Sequence, residues 1–272
     1  MTDPLTTEPE LPPSRSAASP WLADRPPHLP CRRGELPAAV FFPGDPGRVA
    51  RFGAVLDDFT ILGQNREFRI GKGTFHGVEL GVCSTGIGGP STEIALVEAA
   101  ELGCKVAIRV GGTGALDSDI PLGSILLVEE AVRGGGTATF YAAPQEPAIP
   151  HPDVLSALAD CLDAAGERYF RRKVASVDGY YAAQGRPYPH SSQDSNSILE
   201  RYRGQGVSAL DMEAETILIV GNAVGMKAGV LLAVHGNRGT DTWLEAYEEA
   251  QDRLIRIACQ AMLQIRGSDT VS

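Results

Sequence analysis

One stretch constrains this chain more than any other: a strand that runs into clustered glycines and then into a helix. Val78-Glu-Leu-Gly-Val82 is apolar and β-prone, and it leads into Val82-Cys-Ser-Thr-Gly-Ile-Gly-Gly-Pro-Ser91. Thr92 to Leu102 then reads as a helix. Gly86, Gly88 and Gly89 let backbone N–H groups approach an anion with no Cβ in the way. The helix start adds unsatisfied donors and the positive end of its dipole. A strand end built this way suits a phosphate or a sugar. A second apolar strand, Val106–Val110, runs into a second expected glycine turn, Gly111-Gly-Thr-Gly114.

Strands and helices alternate around these two places. Ala38–Phe42 reads as a buried strand, stopped by Pro43-Gly-Asp-Pro-Gly47. Val49, Phe52 and Leu56 share one face of a short helix over 48–56. Strands are expected over 59–68, 70–75 and 78–84, with His76-Gly77 as a turn. Further strands are expected over 124–132, 173–177 and 229–234, and helices over 151–165, 210–224 and 242–265. The pattern predicts α/β: a single three-layer domain, with a central mixed twisted sheet flanked by helices. Residues 34–272 are expected to form it. Residues 1–33 hold eight prolines with little apolar periodicity, and they read as a disordered leader. That leader lacks the basic start and apolar centre of a signal peptide.

Charge narrows the function. The net charge is −10, which disfavours nucleic acid, where affinity comes mainly from Lys and Arg on phosphates. An anionic ligand would need a local cluster of arginines. No apolar run approaches the ~18–20 residues of a membrane span. The five cysteines are scattered and show no metal-finger spacing. They are expected to be buried thiols of a cytoplasmic protein. Cys83 lies beside the glycine turn, but no neighbour in sequence supplies a base for a nucleophilic role.

Five segments carry candidate chemistry, and each has a plainer alternative. Pro43-Gly-Asp-Pro-Gly-Arg48 is a phosphate loop or a strand-ending turn. Arg66-Glu-Phe68 is a ligand arm or a surface charge pair. Arg109 lies inside an apolar run, so it is an anion ligand or half of an internal ion pair. Three such arginines make a plausible clamp, because the guanidinium fork matches phosphate oxygens. Leu210-Asp-Met-Glu-Ala-Glu215 offers carboxylates to sugar hydroxyls, or merely complements a helix dipole. Tyr180-Tyr-Ala-Ala-Gln-Gly-Arg186 reads the edge of a base by stacking and paired polar groups, or is an ordinary polar loop.

Taken in order, these segments resemble the nucleoside phosphorylase family. The match runs through Pro-Gly-Asp-Pro-x-Arg, Arg-Glu-Phe, Cys-Ser-Thr-Gly-Ile-Gly-Gly-Pro-Ser, Arg-Val-Gly-x-Thr-Gly, Gln-x-Arg, Met-Glu and Asn-Arg, from about Leu36 to Leu263. The uridine-cleaving branch is the most similar. The resemblance implies a pentosyltransferase that cleaves a pyrimidine nucleoside with inorganic phosphate. The products would be the free base and (2-deoxy)ribose 1-phosphate. It implies phosphate on Gly44, Arg48, Arg109 and Thr113, with Arg66 donated by a neighbouring subunit. Met212 and Glu213 would hold the ribose, joined by His28 from across an interface. Tyr180, Gln184, Arg186, Gly114 and His235 would surround the base. Arg48, Arg109, Glu213 and Arg238 are the implied catalytic group, Arg238 supporting the base loop. No cofactor is implied beyond the co-substrate phosphate. Glu67, Ile87 and Ser91 match a monovalent-cation position, potassium in chemistry, between subunits. A homodimer or homohexamer with shared sites is expected, with no nucleic-acid or membrane partner.

The departures fall around the site. Uridine-cleaving members usually carry Thr where this chain has Gly112. They usually carry Glu where it has Asp211, and an aliphatic residue where it has His235. The segment His235-Gly-Asn-Arg238 lacks the Asp with which purine-cleaving members protonate their base. Other readings remain: a phosphorylase for a modified or purine nucleoside, a hydrolytic nucleosidase, and a catalytically silent nucleoside-binding relative.

Overall fold

The computed structural model describes residues 16–190 and 194–269. The strands among them are β1 (Ala39–Phe42), β2 (Asp57–Asn65), β3 (Phe68–Phe75), β4 (Val78–Cys83), β5 (Val106–Ala115), β6 (Ile125–Gly134), β7 (Tyr169–Val177), β8 (Val207–Asp211), β9 (Lys227–Asn237) and β10 (Thr242–Trp243). The helices are the short α1 (Pro46–Val49), α2 (Gly89–Glu101), α3 (Pro152–Ala164), α4 (Ser195–Arg203), α5 (Ala214–Ala223) and α6 (Glu248–Asp269). The strands join in the order β10-β9-β6-β7-β8-β5-β1-β4-β3-β2, and β9 also pairs with β5. That extra pairing closes β9, β6, β7, β8 and β5 into a ring. The sheet is mixed: β1 lies parallel to β4 and β5, while β5 meets β8 antiparallel.

Alternation along each strand divides the core into two faces. In β1, Val40 and Phe42 face the α2 and α5 side, and Ala39 and Phe41 face the α3 and α6 side. In β9, Ala228, Val230, Leu232 and Val234 join the first face, and Leu231 and Ala233 the second. Both faces of the central strands are covered, which explains why they read as continuous apolar runs. Phe41 stacks on Phe52 at 5.1 Å between ring centres. Burying one such ring contributes about 1.5–3 kcal/mol. A smaller cluster packs α4 against β7 and β8 through Ile198, Leu199, Tyr202, Val177 and Leu210.

The structure corrects several expectations. The helix expected over 242–265 begins only at Glu248, because Thr242–Trp243 pair with the end of β9 as β10. Gly111–Gly114 is not a turn: β5 continues to Ala115, paired with β9 and interrupted by one register shift at Thr113/Gly114. The glycines there serve close approach, since a Cβ on Gly111 would stand 2.7 Å from the Arg109 guanidinium carbon. The helix expected from residue 210 starts at Ala214, and Leu210–Asp211 end β8. Neither β8 nor α4 was legible, because β8 is short and α4 has only three buried positions. Finally, the leader is not disordered up to residue 33. Its first fifteen residues lie outside the described ones, but Leu29 and Cys31 are 2% exposed within the core. Glu98 on α2 accepts the backbone N–H groups of His28 (3.1 Å) and Leu29 (2.8 Å). Single buried side chains and one carboxylate pin this segment, and such anchors leave no periodic signal in sequence.

Candidate active site

A cavity of about 640 Å³ opens beyond the ends of β1, β4, β5 and β8 and along β9. Ligands of layered α/β proteins commonly bind outside strand ends of this kind. The wall brings together residues from widely separated segments of the chain, including Gly44, Arg48, Arg109, Gln184, Arg186 and Glu213. Met212, Tyr180, Thr113, Gly114 and His235 line the same cavity, as do Glu67 and Ile87.

One end is cationic. Arg109 projects from β5 with its side chain 4% exposed. Its Nε donates to Asp211 Oδ2 at 2.9 Å, and its Nη2 pairs with Glu213 Oε2 at 2.6 Å. Burial works against the charge, but Glu213 and Asp211 outweigh it and hold the guanidinium pKa above its ordinary value. Nη1 is buried and has no partner among the described residues. A Cβ on Gly44 would stand only 3.3 Å from the Gly86 carbonyl oxygen and 4.0 Å from that Nη1, so glycine lets the two loops pack closely beside it. Arg48 lies in the α1 turn, whose N-cap Asp45 accepts from Gly47 N–H at 2.8 Å. Its Nε is also buried and unpartnered among the described residues. Burial, and then the charge of Arg109, lower its pKa. Two guanidinium groups that disfavour one another and keep free N–H groups over one cavity are organised for an anion.

Glu213 sits between this end and the glycine turn. Its Oε1 accepts from Gly88 N–H at 2.7 Å, at the start of α2. The anion at the first glycine turn is therefore the protein's own carboxylate. Each Glu213 oxygen keeps a lone pair for a further donor, such as a sugar hydroxyl. Burial raises this carboxyl above its ordinary value, against the pull of Arg109. Asp211 is buried too: its Oδ1 accepts Glu213 N–H (3.1 Å) and Ala214 N–H (2.9 Å), so it caps α5 while holding Arg109. This caps the departure at 211 with a structural role. Thr113 donates its hydroxyl to the Leu210 carbonyl at 2.7 Å.

The other end carries a planar polar pair. Gln184 is 4% exposed, and its Oε1 accepts from Arg186 Nη1 at 2.6 Å. The Gln184 amide NH2 is left for a ligand. Arg186 lies over the Tyr180 ring at 3.6 Å and also donates to the Tyr180 carbonyl. Burial lowers the Arg186 pKa.

Other expected residues lie around the cavity or outside its wall in this chain. Arg238 is beneath the loop: its Nη1 donates to the Gln184 carbonyl (3.0 Å) and its Nη2 to that of Gly185 (2.9 Å). Arg66 occupies the two-residue β2–β3 turn at φ +53°, exposed and outside the cavity of its own chain. His28 pairs through Nδ1 with Glu98 at 2.6 Å, so it is neither a free tail residue nor a lining residue of this chain's cavity. Ser91 bonds Glu67 Oε1 at 2.8 Å, while Ile87 is 77% exposed at the rim. His235, expected beside the base, stands at the cationic end, against Gly112 and Tyr247. Cys83 is fully buried and its thiol is pushed well up by desolvation, which makes it no nucleophile. Among the described residues no group of His, Cys, Asp and Glu is arranged to hold a metal ion.

The sequence model of the phosphorylase superfamily matches residues 38–263. The chain belongs to that superfamily. A uridine phosphorylase of Thermococcus kodakarensis is 36% identical over 82% of this chain and 81% of its own length. A guanosine phosphorylase of Halorubrum lacusprofundi is 31% identical over 87% and 97%. The uridine phosphorylase of Escherichia coli is 31% identical over 86% and 95%. All ten strands and the flanking helices form the layered α/β fold of this superfamily.

Sequence reasoning missed three residues that shape the site of this superfamily member. Trp243 lines the cavity and packs where a Cβ on Gly236 would be, 2.8 Å from its ring. Tyr247 lies between Arg48 and His235. Gln251 is 1% exposed and bonds His235 Nε2 at 2.8 Å. A glutamine on the apolar stripe of the closing helix was the readable signal for the last of these. Arg238→Ala should loosen the base loop without touching the anion end. We expect roughly a 10- to 100-fold loss in kcat/KM for the nucleoside, from two charge-assisted bonds removed, with the KM for phosphate nearly unchanged. Steady-state kinetics with each substrate varied in turn measure the split.

Proposed function

We propose that this superfamily member cleaves a uridine-like pyrimidine nucleoside by phosphorolysis, giving the free base and (2-deoxy)ribose 1-phosphate. Nucleoside phosphorolysis is the activity named in its relatives. One observation carries the reading. Two guanidinium nitrogens without a partner among the described residues, on Arg48 and Arg109, share one cavity with the Gln184–Arg186 pair.

The chemistry follows from that arrangement. Phosphate bound at Gly44, Arg48 and Arg109 is both nucleophile and counter-charge. A phosphate oxygen bonds to C1′ while the C1′–N1 bond breaks and its electron pair leaves with the base. The sugar passes through an oxocarbenium-like state, as in glycoside hydrolysis. Glu213 and Met212 hold the ribose, the carboxylate accepting from its hydroxyls. Gln184 and Arg186 hydrogen-bond the base edge and stabilise the negative charge that develops there, with Tyr180 stacked nearby. Most of the rate would come from orientation and electrostatics.

Pyrimidine preference is supported by the end of β9. Asn237 has its amide used on both sides, by the Asp117 and Ile120 carbonyls and by Gly239 and Thr240 N–H groups. No acid projects from that position to protonate a purine. The guanosine phosphorylase relative keeps a purine substrate as the second reading. A panel of uridine, 2′-deoxyuridine, inosine and guanosine at fixed phosphate, read by base release, decides. We expect the pyrimidines to lead; a guanosine preference would overturn the base assignment.

We further propose a homodimer or homohexamer in which Arg66 and His28 complete a neighbour's site. Their placement outside this chain's own cavity supports it. In such an assembly Glu67, Ile87 and Ser91 would face a monovalent cation such as potassium. Five buried free thiols accord with a reducing, cytoplasmic setting. No helix among the described residues is long and apolar enough to cross a membrane.

A further inference from the structure

Gly112 and His235 occupy each other's space. A Cβ on Gly112 would lie 2.6 Å from His235 Cε1 and 2.6 Å from Nδ1, too close for any side chain. The imidazole therefore fills the volume that a larger residue at 112 would take. This sits at the anion end. Tyr247 packs its ring against His235 at 4.9 Å and against the Arg48 guanidinium at 5.8 Å. Gly111, next along β5, lies against the Arg109 guanidinium.

The tautomer of His235 is set by its neighbours. Gln251 Nε2 lies 2.8 Å from His235 Nε2 and 3.3 Å from the Gly111 carbonyl oxygen. A carbonyl accepts only, so the Gln251 NH2 group faces it. The same NH2 then donates to His235 Nε2, which must be the accepting nitrogen. The proton of the neutral ring is left on Nδ1. Burial, then the charge of Arg48, lower the imidazole pKa to about 4, so the ring is neutral at neutral pH. Nδ1 has no partner among the described residues, and His235 lines the cavity.

The β5 glycine segment has no hydroxyl donor to offer an anion there. Gly112 has no side chain, and the Thr113 hydroxyl is committed to the Leu210 carbonyl. We infer that His235, through Nδ1–H, is the hydrogen-bond donor to the bound phosphate that the glycine segment itself does not supply. Gln251 is the positioning residue that fixes the donor. The exchange makes His235 a determinant of how this chain holds its anionic co-substrate. A neutral donor adds direction without adding positive charge to that of the arginines.

The inference rests on the phosphorolytic reading, and the test separates the two. Wild-type base release that does not depend on phosphate would sink the reading itself. With phosphate dependence in hand, His235→Ile should raise the KM for phosphate about 10- to 100-fold, the worth of one bond to a charged group, with the nucleoside KM little changed. His235→Asn, which keeps an N–H near Nδ1, should recover most of that loss. The double variant Gly112→Thr/His235→Ile, which returns a hydroxyl and removes the clash, should also recover it. Thermal melting of each variant reports folding. An unchanged phosphate KM in His235→Ile would overturn the inference. So would a His235→Asn variant as impaired as His235→Ile, since that marks a space-filling role alone.

Discussion

Replacing Arg109 by glutamine is expected to abolish efficient use of phosphate. The side chain loses the unpartnered Nη1 that faces the cavity and the charge that draws the anion in. A fall in kcat/KM for phosphate of roughly a thousand-fold is expected, at the scale of losing a preorganised charged donor. The same change leaves Asp211 and Glu213 buried beside one another without their cation. Stripping one partner from a buried ion pair costs about 3–5 kcal/mol, so the variant should also melt earlier. Asp211→Asn separates the two effects. It weakens the support of Arg109 but keeps the guanidinium, so stability should fall with a smaller change in phosphate dependence. Equal phosphate dependence in Arg109→Gln and wild type would remove Arg109 from the site.

Replacing Glu213 by glutamine should strike the sugar. The carboxylate bridges Gly88 N–H and Arg109 Nη2 and keeps acceptor capacity on both oxygens. Glutamine retains one accepting oxygen and turns the other into a donor, which opposes either Gly88 N–H or Arg109. Two acceptor bonds to ribose hydroxyls, each worth about 1.5–3 kcal/mol to a charged group, are lost or weakened, so a drop in kcat/KM of about a hundred-fold or more is expected. The loss should be smaller for a 2′-deoxynucleoside, which offers one hydroxyl fewer. Parallel kinetics with uridine and 2′-deoxyuridine check this, and equal losses on both would take Glu213 away from the 2′-hydroxyl.

The sequence revealed the outline because the outline is periodic. β1 and β9 are buried on both faces and read as unbroken apolar runs. α3 and α6 carry their apolar residues at helical spacing. The glycines at 86–89 also read correctly as a place for an anion, yet the anion there is Glu213, from 125 positions further along the chain. Such a partner has no local trace. Gly111–Gly114 read as a turn because glycine clusters usually end strands, whereas here Leu232 and His235 of the neighbouring β9 and the Arg109 guanidinium crowd the backbone and glycine is the residue that fits. The segment around Leu29 read as disorder because isolated buried side chains and the Glu98 carboxylate hold it, not a repeating face. His235 was legible as an oddity on β9. Its meaning depends on Gly112 and Gln251, which lie on β5 and α6.

The central claim is that phosphate, held by Arg48 and Arg109, is the nucleophile. It is tested most directly by incubating the full chain with uridine while varying phosphate, and following the products by phosphorus NMR. The account predicts base release that rises with phosphate and saturates, with one equivalent of pentose 1-phosphate formed per base. Base release at the same rate without phosphate, with free pentose as the product, would contradict it.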